Sequence, residues 1–443
     1  MYLLLVNLLT KAKKSKIFKD SVSYTFLNTI EKAIPFLILP ILTRLLTKEE
    51  VGYYILYQAI IEVVFPIMTL QIDSAILLNY YKLDKRNFKE YFSNAIILFF
   101  AYYLILFFLL YAFSNTLSTL LSFPTVWLNI VFAIVFFRFL TNVRQHLWQI
   151  KYKIKNYGLF TIGISIVKNV LGLILVIYTT MAWEGIIAGH LIGYALFGLI
   201  ALISFYKEKL IFFKRKLIYY RDIFKIGAPL TIHRLGLWFG KAANRVIITS
   251  LLGAAATGSY GVGATFAAIV TVLEQSFAKA FKPHLFENLR TNSRDSRKKI
   301  IISTYFIYAF IFFISVSLYF IGFYSVGFLF GEEYTETRKF MFPLIVAAMF
   351  KGFFELHVNY ILFTKRTMQI TKITLASGLI NVVLAYFCTK YFGLIGTAYS
   401  LAIINFIQYT VTFYVSNKLF PMSWLFFLNK AKLRVKFLIN SMR

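Results

Sequence analysis

"LTKEEVGYY", residues 46–54, is answered 206 positions later by "LGAAATGSY", residues 252–260, with leucine, glycine and tyrosine at identical spacing. A second echo lies further along each half. "KNVLGLIL" (168–175) followed by "GIIAGH" (185–190) is matched by "INVVLAYF" (380–387) followed by "GLIGTA" (393–398). Gly185 maps to Gly393 at an offset of 208, and Asn169 to Asn381 at an offset of 212. Two matches at nearly one offset divide the chain into two similar halves.

Composition says what the halves are made of. The 443 residues are 59% hydrophobic and only 15% charged. A soluble domain of this size could not hide so much apolar surface. The apolar residues form runs of roughly 20 or more, each long enough to cross a bilayer as a helix. Twelve such runs are counted. They are 21–44, 51–80, 91–113, 121–150, 157–180 and 184–206, then 223–252, 255–283, 300–323, 338–364, 369–390 and 393–417. The expected fold is an all-α polytopic membrane protein with about twelve transmembrane helices in two six-helix lobes. Six is even, so both halves enter the membrane the same way. The repeat is then parallel, about an axis along the membrane normal, as in some transporters.

Loop charges orient the bundle. The net charge of +30 would suggest nucleic acid in a soluble protein, but the basic residues lie in short patches between apolar runs. "KLDKRNFKE", "KYKIK", "KEKLIFFKRKLIYYRD" and "LRTNSRDSRKK" all fall on one side, while "SNTLSTL" and "TTMAWEG" on the other hold no Lys or Arg. The positive-inside bias places both termini in the cytoplasm, with the basic loops against anionic lipid headgroups. Nucleic acid is not expected as a partner. The lone Cys388 excludes an intrachain disulfide. "MYLLLVNLLT" has no basic residue before it and no cleavage pattern after it, so no secretory signal is expected. Residues 1–206 read as an N-terminal lobe with a cytoplasmic lead-in and 207–222 as a basic cytoplasmic linker. Residues 223–417 read as the C-terminal lobe and 418–443 as an amphipathic cytoplasmic tail lying on the membrane.

The repeated residues also carry a family likeness. "LPILTRLLTKEEVGYYILYQAI", "GAPLTIHRLGLWFGKAANRVIITSLLGAAATGSYGVG" and "FGLIGTAYSLAIINFIQY" resemble, in order and spacing, the O-antigen (Wzx-type) polysaccharide flippases of the multidrug/oligosaccharidyl-lipid/polysaccharide exporter superfamily. The likeness runs from about residue 20 to 417. Asn244 departs from it, since many relatives carry an acid before the arginine. The resemblance implies two six-helix lobes around a central cavity in a bacterial inner membrane. It implies alternating access and movement of an undecaprenyl-pyrophosphate-linked oligosaccharide from the inner to the outer leaflet, with glycan-assembly proteins as further partners. No cofactor or metal is expected.

The seventh run, "IHRLGLWFGKAANRVIITSLLG" (232–253), holds the chemistry this cargo needs. Arg234, Lys241 and Arg245 are spaced by seven and four, which on a continuous helix sets them within about 40° of one another. Charge facing lipid costs several kcal/mol, so the stripe is expected to face a hydrated cavity. There it would attract the pyrophosphate of a carrier lipid. Arg138 and Lys168 are further cavity cations. Glu31, Glu62, Asp73 and Glu274 are candidates for proton or sodium coupling or for pairing with those cations, and Glu62 and Asp73 are counted near one face. Arg144 is expected to snorkel, and Lys351 and Glu355 to neutralise each other.

Two rival functions follow from the same residues. A multidrug cation antiporter of the same superfamily needs an anionic cavity, against which the stripe argues. A membrane polysaccharide polymerase needs a sizeable polar loop with a placed acid and base, and the longest external loop, "GEEYTETRK", has nine residues.

Overall fold

The computed structural model describes residues 16–212, 216–364 and 366–424. The expected lead-in over 1–15 and most of the tail, 425–443, lie outside the described residues. Among the described residues there is no strand. The first lobe contains α1 (Lys16–Leu45), α2 (Lys48–Thr69), α3 (Ile72–Tyr80), α4 (Lys85–Ala112), α5 (Ser114–Leu121), α6 (Thr125–Ile150), α7 (Ile154–Tyr178) and α8 (Trp183–Lys207). The second contains α9 (Leu217–Phe239), α10 (Ala243–Leu252), α11 (Ala254–Thr291), α12 (Arg294–Phe330), a 3-10 turn (Glu332–Thr337), α13 (Arg338–Phe363) and α14 (Thr367–Leu419). Helices pair their interior backbone groups within themselves, as a lipid-embedded chain must. The outer helices α4 and α12 turn Ile105, Phe108, Phe313 and Phe328 outward, where acyl chains replace water.

Two of the expected spans are broken, and two others are joined. The second consists of α2 and α3, separated by Leu70 and Gln71, both left-handed (φ 47° and 49°). The seventh consists of α9 and α10, separated by residues 240–242. The eleventh and twelfth are the two arms of α14, folded at Gly393 (φ 61°, ψ −148°).

The repeat is visible as a seam between the lobes at the face opposite the chain ends, here termed the far face. A Cβ on Gly52 would collide with the Ala254 carbonyl, and one on Gly258 with the Lys48 carbonyl. With the 206-residue offset, Lys48 corresponds to Ala254 and Gly52 to Gly258, so these are two copies of one contact with the partners exchanged. Gly261 meets the side chain of its own counterpart, Ile55. Such reciprocity is the signature of a two-fold axis. It runs between α2 and α11.

An ion pair crosses the same seam. Lys48 Nζ lies 3.0 Å from Glu336 Oε1, and Ser259 Oγ donates to that oxygen at 2.7 Å. Arg44 donates to the Phe328 carbonyl at 2.7 Å. The hydrogen bond from Ser259, then Lys48, outweighs burial and holds the Glu336 carboxyl below the usual carboxylate range.

The far-face corners differ between lobes. Gly253, Gly331 and Gly393 turn those of the second lobe with φ of 88°, 101° and 61°. Two share a pattern, T-x3-G-x3-T. Thr249 and Thr257 bond side chain to side chain at 2.7 Å around Gly253, and Thr389 and Thr397 at 2.6 Å around Gly393. In the first lobe, Thr47 occupies the position equivalent to Gly253. It closes a capping box with Glu50 instead, at an extended φ of −65°.

The linker is fastened to the first lobe. Phe212 N–H donates to Ser93 Oγ at 2.9 Å, Lys216 N–H to Asn94 Oδ1 at 2.9 Å, and Lys216 pairs with Glu90. At its last residue, Asp222 accepts from Asn79 and Tyr91 at 3.0 Å each.

Candidate functional site

The break in the seventh span places the site. Gly236, Gly240 and Gly378 let α9 and α14 approach to backbone contact. Asn381 Nδ2 then donates both to the Phe239 carbonyl and to Asn244 Oδ1, each at 2.9 Å. One amide thus satisfies the backbone at the end of α9 and holds the start of α10. Asn244, at the position where an acid was anticipated, is fully buried and neutral. The Trp238 indole donates to the Ala59 carbonyl at 2.8 Å, tying α9 to α2 of the other lobe.

Lys241 stands in the break. It lines two cavities that meet at this point. One, of about 460 Å³, lies between the lobes and is bounded by α1, α2, α10 and α11. Its wall is apolar along Pro35, Phe36, Leu39 and Val272, with Tyr54, Gln58, Lys241 and Arg245 as polar members. The other, of about 300 Å³, lies inside the second lobe between α9, α11, α13 and α14. The accessible Lys241 is within electrostatic reach of Arg245, Glu62, Lys351 and Glu274. Among the described residues, neither Lys241 nor Arg245 makes an ion pair or a hydrogen bond through its side chain. Burying unpaired cations without water would cost far more than a folded protein tolerates, so this space is hydrated or holds an anion.

The expected stripe of three is therefore corrected to a pair. The angular count assumed a continuous helix, and the chain breaks between Phe239 and Ala243. Lys241 and Arg245 share the inter-lobe cavity, while Arg234 lies outside the walls of both cavities, exposed and beside His233. The same reason separates Glu62 from Asp73, because the left-handed pair at 70–71 intervenes. Glu62 is accessible and faces the field of Lys241. Asp73 is buried, 3.9 Å from His146 Nδ1.

Arg138, Lys168 and Glu31 do converge, in the first lobe. Arg138 lies over the Phe65 ring at 4.8 Å, and Lys168 donates to Tyr194 Oη at 3.3 Å. All three bear electrostatically on Tyr194. His190 Nδ1 and Tyr57 Oη, 2.8 Å apart, complete the cluster. From sequence His190 reads as a packing residue with its hydrogen bond satisfied, as Nδ1 is here, and Tyr57 carries no signal of its own. Arg144 does not snorkel. It is 4% exposed, stacks on Trp148 at 4.2 Å, and bonds Glu208 Oε1 at 2.5 Å, with Lys151 on the other oxygen. Burial alone would raise the Glu208 carboxyl; the two cations overcome it and set it below the usual range.

Glu274, like Asp73, is enclosed. It is 4% exposed, and neither carboxyl oxygen has a hydrogen-bond partner among the described residues. Gly352 makes room for it, since a Cβ there would occupy the carboxyl's place. Lys351 and Glu355 form the expected i, i+4 pair at 3.9 Å. Among the described residues no group of three His, Cys, Asp or Glu could hold a metal ion.

Comparison with known proteins gives this geometry a context. The chain is 26% identical over 420 residues to the capsular polysaccharide biosynthesis protein CapF of Staphylococcus aureus, covering 90% of this chain and 99% of that protein. In fold it is similar to the lipid II flippase MurJ in an inward closed conformation, with a TM-score of 0.69 and 16% identity over 89% of this chain and 87% of that one. It is also similar to an outward-facing multidrug resistance MATE transporter of the MOP superfamily, with a TM-score of 0.62 and 15% identity over 92% and 97%. These likenesses agree with the family resemblance carried by the repeated segments and with twelve helices in two lobes. A family model matches residues 41–339, two thirds of the chain. This multi-pass membrane protein belongs to the polysaccharide biosynthesis protein family.

Proposed function

We propose that the chain is a flippase that carries an undecaprenyl-pyrophosphate-linked glycan from the inner to the outer leaflet of a bacterial inner membrane, with both termini cytoplasmic. The observation that carries this reading is Lys241, an accessible cation in a helix break at the junction of two cavities, with no carboxylate paired to it. Lys241 and Arg245 offer a phosphate charge-assisted hydrogen bonds in place of its water. The pyrophosphate crosses within the bundle while the prenyl tail stays among acyl chains. The closed far-face seam corresponds to a state that loads from the cytoplasm, and rocking about the lobe axis would open it. An anion leaving a negative interior gains roughly 2.3 kcal/mol per charge per 100 mV. The enclosed Glu274 and the accessible Glu62, both within the field of Lys241, are the acids through which a proton would couple. The family membership and the capsular relative support a polysaccharide cargo. The unpaired cations weigh against a multidrug cation antiporter, and no step in this reading makes or breaks a covalent bond.

The test uses a host strain lacking its own copy of the gene. Lys241→Ala should restore less than about a tenth of the surface polysaccharide at normal membrane abundance, and Lys241→Arg should restore a substantial part, since one lost charge-assisted contact costs roughly 1.5–3 kcal/mol. Full restoration by Lys241→Ala would remove the phosphate site from the mechanism.

A further inference from the structure

We infer that the cavity inside the second lobe is a sugar subsite, holding the glycan residue next to the pyrophosphate while Lys241 holds the phosphate itself. The inference rests on the proposed function and concerns what the inter-lobe cavity leaves unexplained. That cavity is mostly apolar, with Tyr54, Gln58 and Thr265 beside its two cations, and leaves the prenyl tail to the acyl chains outside. The hollow on the other side of Lys241 has a different wall. Gln275, Ser377, Asn405 and Gln408 bring neutral amides and a hydroxyl to it, with the Lys351–Glu355 pair alongside. A sugar ring presents hydroxyls that donate and accept together, and this wall does both.

Part of the wall is fixed in advance. Lys351 Nζ donates to Gln408 Oε1 at 3.3 Å, Gln408 Nε2 to Ser377 Oγ at 2.9 Å, and Ser377 Oγ to the Ile373 carbonyl at 2.7 Å. Asn405 is oriented by its bond to the Ala347 carbonyl at 2.9 Å. The rest is available. Among the described residues the Gln275 amide makes no hydrogen bond, the Asn405 side-chain oxygen accepts none, and Glu355 is 39% exposed beside its lysine. A few held polar groups with unused valences in a small concave space make a recognition site. Other occupants fit less well. An organic cation would meet Lys241 and Lys351 against one carboxylate already paired, and an acyl chain would strand the amides. The volume of about 300 Å³ is at the small end of ligand pockets and suits one sugar rather than a whole repeat unit. The subsite would read the first sugar and ignore the rest.

Binding to the purified full chain in lipid nanodiscs tests this. One probe is the glycolipid precursor extracted from host cells lacking this gene; the other is undecaprenyl pyrophosphate without sugar. The wild type should bind the glycolipid at least about tenfold more tightly, roughly 1.4 kcal/mol. Gln408→Leu should erase that preference while binding the sugarless carrier as before, and Lys241→Ala should weaken both lipids alike. If Gln408→Leu does not yield monodisperse protein, Gln275→Leu serves, since that side chain supports no other. Unchanged preference in a well-folded variant overturns the sugar subsite and leaves the flippase reading standing. A wild type that binds neither lipid overturns both.

Discussion

In the first lobe Arg144, Arg138, Lys168 and Asp73 each face a protein group, whereas in the second Lys241 and Arg245 face open space. The apolar interior is less divided than the charges are. One continuous cluster fills the first lobe and runs on into the second through Val262, Phe266, Phe330 and Ile345, where two smaller clusters and a hollow complete the interior. The two lobes therefore differ in how their intramembrane cations are partnered. An intramembrane charge cannot be assigned a role by its presence alone. Its role depends on whether the local packing supplies a partner or leaves room for one.

The sharpest way to break this contrast is to remove one cation from each lobe. Arg144→Ala leaves Glu208 with one partner of two and empties the space beside Trp148. Unfolding of the detergent-solubilised protein should become easier by roughly 3 kcal/mol, with membrane abundance falling accordingly. Arg245→Ala should leave the melting transition within about 0.5 kcal/mol and lower transport instead. Equal stability losses in both variants would end the distinction.

The seam comes next in size. Gly258→Val forces a side chain onto the Lys48 carbonyl, and overpacking of this kind costs about 1–3 kcal/mol. The closed far face should lose population tenfold or more. Spin labels at Glu49→Cys and Glu333→Cys, with Cys388→Ser, should report a longer separation; an unchanged distance distribution would mean the seam does not hold the lobes shut.

Acid should act on the same contact more gently. The closed state keeps the Glu336 carboxyl below its ordinary value of 4.5, and opening returns it toward that value. Closure is therefore fully favoured above about pH 4.5 and weakens as the pH falls through the lowered value. The pair is half exposed, so the effect should stay under about 1 kcal/mol. The same labels should separate at low pH in the wild type, and Glu336→Gln should abolish the pH response.

The smallest effect concerns the corners. Gly393→Ala meets no neighbour within 4 Å, so its cost is conformational alone, about 1 kcal/mol from the positive φ. Thr47→Ala, at the capped corner of the first lobe, should cost a similar amount by losing its box. A much larger loss at Gly393, read from thermal melts, would mean that this corner moves during the cycle.

Much of this could be read from the chain. The twelve runs, and the repeat that pairs Gly52 with Gly258, follow from hydropathy and from a short motif recurring at one offset. Those signals are local or strictly periodic. The breaks were not legible, because Leu70, Gln71 and Lys241 are not breakers by type. They are imposed by contacts such as Gly227 against the Leu70 carbonyl and Asn381 against that of Phe239. Counting angles through a break turned Arg234 the wrong way. The polar wall at Gln275, Ser377, Asn405 and Gln408 draws on α11 and both arms of α14, and no spacing rule connects them. The T-x3-G-x3-T corners were available in the sequence and were passed over, as the two copies lie within one half rather than across both.

The exchanged contacts of the seam have an ancestry written into them. A six-helix chain that met a second copy of itself face to face would make each such contact twice, and any substitution there would be felt twice. Joining the copies end to end lifts that constraint. One strand of the old interface could then acquire a lysine and a threonine, the other alanines and a glycine, without either change being mirrored. An asymmetry between partnered cations in one half and open ones in the other is what a fused pair is free to evolve and a self-associating single copy is not.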